Sequence, residues 1–278
     1  MPRHRAAETI PPSCPPTTIA GERHLSANTH APFSPCDYCL TTSADLPDDR
    51  LSAAVYERVC RVNFDAPGFC LIDLGSASTS VALRSFMVAL KRNLSAIHLQ
   101  GASRELSYLS LGRFDQQVTT KLHRDGGPDE CFLMLGYEPS EVASEVAISD
   151  YARCAHDLGL TPDRLLEQHN PMFGRGEEML RPYTTCVECF SNQSHQILLV
   201  NNSSAPYTSN GSAWQGTLHA AKILNPDDSR RRVVNSTMIA SVAAGTPESV
   251  PLEEQADFVT TNIVRRRGYQ TEHLADDK

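Results

Sequence analysis

Apolar and polar positions change their period along the chain, and the change divides it. From Asp49 to Phe64, Leu51, Ala54, Val55, Val59 and Val62 recur at helical spacing. Gly68 to Leu74 then reads as a short strand. Ser78 to Leu94, with Val81, Leu83, Phe86, Val88 and Leu90, predicts a second helix. From about Glu105 the pattern turns to strands. Leu106, Tyr108 and Ser110 alternate with Ser107, Leu109 and Leu111, and Gln116–His123 is rich in β-branched residues. Cys131–Tyr137 is an apolar run suited to a buried strand. Further strands are expected at Thr184–Phe190, Gln196–Asn201, Thr217–Leu224 and Arg231–Ala240. Between them, residues 140–180 form an insert with helical signals. One helix there ends on Gly159, and another opens on Thr161-Pro162, a hydroxyl cap followed by a proline at the first helical position. A terminal helix is expected from Val250 towards Arg265–Arg267.

The first 48 residues differ. Eight prolines lie among serines and threonines, and such a segment buries too little apolar surface to offset its ordering entropy. A disordered arm over 1–48 is expected, followed by a single catalytic domain over 49–278 with its β core at about 105–240. The fold class expected is α+β, mainly β: a sandwich or barrel with helices at its start, in the insert and at its end.

Composition narrows the function. The chain has 278 residues, 40% hydrophobic and 21% charged, enough for a substantial core. A net charge of −8 argues against bulk binding to nucleic acid or to anionic membranes. No run reaches the ~20 apolar residues that span a bilayer. The N-terminal stretch has no apolar segment of the secretory kind, so a cytoplasmic protein is expected. Nine scattered cysteines do not read as a disulfide framework.

The chemistry gathers at Lys121-Leu-His-Arg-Asp-Gly-Gly. On a strand, His123 and Asp125 point to the same face while Arg124 points away. Gly126 and Gly127 are expected to allow a sharp turn that lets the carboxylate swing in. His219, on the strand Thr217–Leu224 with small neighbours around it, is the best distal partner; His195 is a rival. Two imidazoles and one carboxylate on one face of an ion leave positions open for oxygen and a chelating co-substrate, a set suited to Fe(II).

With His123-Arg-Asp125, His219 and the run Ser229-Arg-Arg-Arg-Val-Val in this order, the chain resembles the 2-oxoglutarate- and Fe(II)-dependent oxygenases. The resemblance covers roughly residues 105–240. It implies a double-stranded β-helix, or jelly-roll, core. It also implies iron held by His123, Asp125 and His219, 2-oxoglutarate as cosubstrate, and molecular oxygen as the oxidant. A small-molecule or peptidyl substrate would be hydroxylated with release of succinate and CO2. The keto acid's distal carboxylate needs a buried guanidinium. Arg230, Arg231 and Arg232 are the candidates, and Arg232 is favoured as the deepest in the predicted strand, with Val234, Ser236 and Met238 on its face. The hydroxyl residue that family members often carry two positions after the arginine has no counterpart at Val234. Two other readings stand beside this one: a cupin-like metalloprotein, acting as an isomerase or a keto-acid-independent oxygenase, and a non-catalytic β-sandwich interaction protein.

Other features have plainer readings. His156 and His169 fall in the helical insert as surface or cap residues, and Asp129 and Glu130 read as solvated acids. Trp214, beside Tyr207, either covers the mouth of the site or packs a loop. His169–Gly176 is a lid candidate. Two Cys-x-x-Cys pairs, Cys36/Cys39 and Cys186/Cys189, could make a zinc site together. The first pair lies in the expected arm, however, and strand alternation would set Cys186 and Cys189 on opposite faces, so separate roles or none are expected.

Overall fold

A computed structural model describes residues 33–208 and 211–266. The chain is α+β and mixed in strand direction. Strands outnumber α-helices ten to seven among the described residues, although a single 23-residue helix gives helix a comparable share of residues.

The larger sheet has seven strands. In chain order these are β1 (Cys39–Thr41), β2 (Phe69–Asp73), β3 (Arg104–Asp115), β4 (Cys131–Tyr137), β7 (Gln196–Asn201), β9 (Val233–Ala243) and β10 (Arg265–Arg266). Their order across the sheet is β1-β2-β7-β4-β9-β3-β10. The smaller sheet holds β5 (Ser144–Ser149), β6 (Thr184–Cys186) and β8 (Leu218–Ile223), in the order β6-β5-β8.

The central strands of the larger sheet are buried on both faces, which is why they read as continuous apolar runs. Cys70, Ile72, Phe132, Met134, Ile197 and Leu199 face one way. There they meet α2 (Asp49–Val59), α3 (Ser80–Ala102) and α7 (Leu252–Thr260) through Val55, Leu83, Phe86, Leu90 and Phe258. Phe69, Leu71, Leu133, Leu135, Leu198 and Val200 face the other way and meet Val146 and Ile148 of β5. The two-residue period therefore builds both cores from the same strands. Helix α3 lies close against β4: a Cβ on Gly136 would stand 2.5 Å from Met87 Sδ. The N-terminal helices start where side-chain caps permit, with Asp48 accepting the Leu51 N–H and Thr79 that of Ala82.

A third apolar cluster joins α4 (Tyr151–Asp157), α5 (Pro162–Gln168) and α6 (Gly174–Leu180) to Leu122 and Leu218, so the insert packs beside β8. The buried Arg61–Asp150 pair, at 2.5 Å, ties its first turn to the end of α2. As expected, Thr161 caps α5 and Gly159 takes a left-handed conformation after α4.

Several expectations differ from the structure. Order begins before Asp48. Pro35–Tyr38 forms a short helix, α1, and β1 pairs in parallel with β2, because Tyr38 is fully buried and stacks on Phe69 at 4.8 Å. That docking is a tertiary effect that local composition does not carry. Residues 1–32 of the expected arm lie outside the described residues. The insert is not wholly helical, since Ser144–Ser149 is the central strand of the smaller sheet. Gln116–Leu122 is not a strand. It runs beside β8 through irregular bonds, with Thr119 and Thr120 hydroxyls taking the Ile223 and Ala221 N–H groups. The last helix stops at Thr260, and Arg265 and Arg266 pair with β3 instead of prolonging it. Arg267 lies outside the described residues. No helix among those described is long and apolar enough to cross a membrane.

Candidate metal site

His123 and His219 face each other across an isolated antiparallel bridge. Each donates its backbone N–H to the other's carbonyl, at 3.1 and 3.0 Å, and the rings stand 4.3 Å apart between centroids. Asp125, two residues on, returns to the same point. Its Oδ1 lies 3.6 Å from His123 Nε2 and its Oδ2 3.9 Å from His219 Nε2. One ligand atom from each of the three lies within 4.8 Å of the other two, and they make the one such group of three or more among the described residues. This group can hold a metal ion. Neighbouring ligands of an octahedral ion, each about 2.1 Å from the metal, sit about 3 Å apart, so the two Asp125–histidine distances must close by less than about 1 Å and the widest separation in the group by up to about 1.8 Å.

The imidazoles are prepared for that role differently. His123 Nδ1 donates to the Lys121 carbonyl at 2.7 Å, which leaves the Nε2 lone pair directed at the site. His219 is the more buried, and burial pushes its pKa down to about 4. His123 adds to the effect and Asp125 opposes it. At neutral pH its ring is uncharged and does not have to lose a proton to bind a cation.

Asp125 is held by a residue that sequence reading does not single out. Asn202, fully buried at the end of β7, accepts the Asp125 N–H at 3.0 Å and donates to the Asp125 carbonyl at 2.9 Å. A side-chain amide thus replaces the strand partner that this segment lacks. The polar run Asn201-Asn202-Ser203-Ser204 after an apolar strand is the only local hint of it. Replacing Asn202 by alanine is expected to weaken metal binding about 10- to 100-fold while the chain stays folded. Anaerobic metal titration with circular dichroism as control checks this, and an unchanged affinity would refute the positioning role. The glycines act otherwise than expected. Neither Gly126 nor Gly127 has a positive φ. Gly127 allows close packing, since a Cβ there would lie 2.9 Å from Cys131 Sγ, whereas nothing crowds Gly126.

The triad opens on a cavity of about 150 Å³. Phe114, Leu135, Tyr137, Ala221 and Val234 supply apolar wall, and Gln116, Thr120, Ser236 and Arg232 supply polar groups. Of the three arginines only Arg232 reaches it. Arg230 is exposed and pairs with Glu141 at 3.1 Å, and Arg231 is exposed. All three precede β9, so Arg232 is not placed by strand phase. Its backbone N–H is held by Asp115 at 3.1 Å. Its Nε donates to Ser144 Oγ at 2.9 Å, its Nη1 donates to the Gln116 carbonyl at 3.0 Å, and its guanidinium lies over the Tyr137 ring at 5.1 Å. Nη2 is buried without a hydrogen-bond partner, as is Gln116 Oε1. Val234 and Ser236 line the cavity as expected, and Met238 packs into the core between the sheets.

The remaining candidates lie elsewhere. His195 is buried beside the end of β2 and is not brought to the triad. His156 packs against Phe64 and Tyr207 on the surface, and His169 caps α5. Glu130 accepts the Trp214 N–H and Asp129 the Ser204 hydroxyl. Trp214 is a core residue against His98 and Phe132, away from the mouth of the site. The loop after α5 touches the site's flank, where Lys121 Nζ donates to the Met172 carbonyl at 2.6 Å. No protein-family model matches this chain, and no curated protein matches it.

Proposed function

We propose that the protein is an Fe(II)- and 2-oxoglutarate-dependent oxygenase acting on a small-molecule or peptidyl substrate. One observation carries the reading: a buried guanidinium with an unused donor lines the same cavity as a His–Asp–His metal group. A metal site alone serves many chemistries. A metal site with an anion-binding fork in the same small cavity suits a ligand that chelates at one end and carries a carboxylate at the other. A cavity of this order admits a ligand of roughly six to ten heavy atoms.

The winding of the chain supports the same reading. From β3 to β9 it passes repeatedly between the two sheets: β3 large, 116–123 beside the small sheet, β4 large, β5 and β6 small, β7 large, β8 small, β9 large. Eight segments distributed in this way suit a jelly roll, the architecture that the resemblance implies.

In this reading His123, Asp125 and His219 would hold the iron beside the cavity. Bound iron supplies oxygen activation coupled to decarboxylation of the keto acid, which yields succinate and CO2 and oxidises the substrate. Arg232 fixes the far carboxylate. Ser144, the Gln116 carbonyl and the Tyr137 ring orient its fork, and Phe114, Leu135 and Val234 exclude water from the ion pair. Anaerobic protein given Fe(II) and then 2-oxoglutarate is expected to develop the weak visible charge-transfer band of a chelated keto acid. Iron binding without that band would leave a keto-acid-independent metalloprotein, and absence of iron binding would refute both.

A further inference from the structure

Arg232 alone does not complete a carboxylate site. Its Nε and Nη1 are spent on Ser144 Oγ and the Gln116 carbonyl, which leaves Nη2. A carboxylate presents two oxygens with about four lone-pair sites, so a second donor is needed at this end of the cavity. Tyr137 lies under the guanidinium with its ring. Thr120 Oγ1 already takes the Ala221 N–H at 3.0 Å. Ser236 stands four residues beyond Arg232, roughly 13 Å away along extended chain. Gln116 is the neighbour. Its N–H donates to the Arg232 carbonyl at 3.0 Å, and its own carbonyl accepts from Arg232 Nη1 at 3.0 Å.

The side chain of Gln116 is the unusual part. Among the described residues its buried Oε1 has no hydrogen-bond partner, and it lines the same cavity as an arginine whose Nη2 is in the same condition. Gln117, the next residue, spends its amide inside the fold. Its Nε2 donates to Asp115 Oδ1 and to the Arg230 carbonyl, and its Oε1 accepts the Asp227 N–H. Buried polar groups are nearly always paired, so an unpaired amide oxygen and an unpaired guanidinium nitrogen on one small cavity point to a partner from outside the chain for both side chains. We propose that the Gln116 side chain is the second anchor of the keto acid's far carboxylate, an inference that rests on the oxygenase reading. A half-turn of the amide exchanges Oε1 for Nε2 with almost no change of shape. So turned, Nε2 donates to one carboxylate oxygen while Arg232 Nη2 donates to the other. The guanidinium supplies the charge, and the amide fixes the plane of the carboxylate without adding a second cation.

Titrating the charge-transfer band of the anaerobic Fe(II) protein with 2-oxoglutarate tests this. Gln116→Ala is expected to keep its iron and to raise the dissociation constant about 10-fold, the worth of one hydrogen bond to a charged group. Gln116→Glu keeps the size of the side chain but sets an anion against the carboxylate, so a loss above about 100-fold is expected. That order separates an anchor from a wall, because a side chain that only fills space suffers more from alanine than from glutamate. Pyruvate has the same keto acid head and no far carboxylate, and it should bind weakly and equally to the wild type and to Gln116→Ala. Circular dichroism should be unchanged in both variants, since Oε1 has no partner in the fold to lose. An unchanged dissociation constant in Gln116→Ala, a greater loss with alanine than with glutamate, or an equal loss for pyruvate would each overturn the proposal and leave the oxygenase reading standing. No band in the wild type would refute both.

Discussion

Asp125→Ala is expected to reduce bound iron to background, with loss of the succinate formed when 2-oxoglutarate is turned over without substrate. The carboxylate is the only anionic ligand of the three, and the two imidazoles left behind bring no negative charge and oppose each other across one backbone bridge. Removing groups that only orient a ligand typically costs 10- to 100-fold in metal affinity, so loss of the ligand itself is expected to exceed about 100-fold. Asp125 is about a third exposed, and the Asn202 clamp holds its backbone and not its carboxylate. The variant should therefore fold normally by circular dichroism. Iron content measured per chain decides the matter, and a normal content in Asp125→Ala would remove Asp125 from the site.

Arg232→Ala is expected to leave iron in place and to raise the 2-oxoglutarate concentration needed for half-saturation more than about 100-fold. The keto acid's distal carboxylate would then be buried without a partner, and breaking a buried ion pair from one side costs about 3 kcal/mol or more. Arg232→Lys keeps the charge but loses the planar fork and the contact with Tyr137, so it should recover only part of the affinity. Arg230→Ala and Arg231→Ala are the controls. Both side chains are exposed, and Arg230 serves Glu141, so near-normal values are expected. An effect at Arg230 or Arg231 equal to that at Arg232 would refute the assignment. Titration of the charge-transfer band in each variant measures keto acid binding apart from turnover.

The apolar runs at Cys131–Tyr137 and Gln196–Asn201 carry their strand boundaries in the sequence, because both faces of each strand are buried and every position must be apolar or internally bonded. Strand β5 is hidden for the opposite reason. Glu145 faces solvent while its neighbours bury, and six residues of weak alternation between polar loops do not stand out. The segment carrying His123 has β-branched composition but no regular ladder, since side-chain hydroxyls take the places of backbone partners. Arg232 is legible as a candidate by its position in the chain. Its burial, unlike that of its two neighbours, depends on Ser144, Gln116 and Tyr137, which come from three separate segments.

Ligand types, their spacing and their order can be read along the chain: His123 and Asp125 two apart, a distal His219, and arginines after it. Those are local or ordinal properties. That the three ligands meet is a matter of tertiary packing, because the bridge between residues 123 and 219 pairs two segments that share no local signal. Packing likewise makes Asn202 hold Asp125 and brings Arg232, not its neighbours, to the cavity. Each of these depends on which faces of distant strands are buried together, and burial is a property of the whole packed chain rather than of any stretch of it.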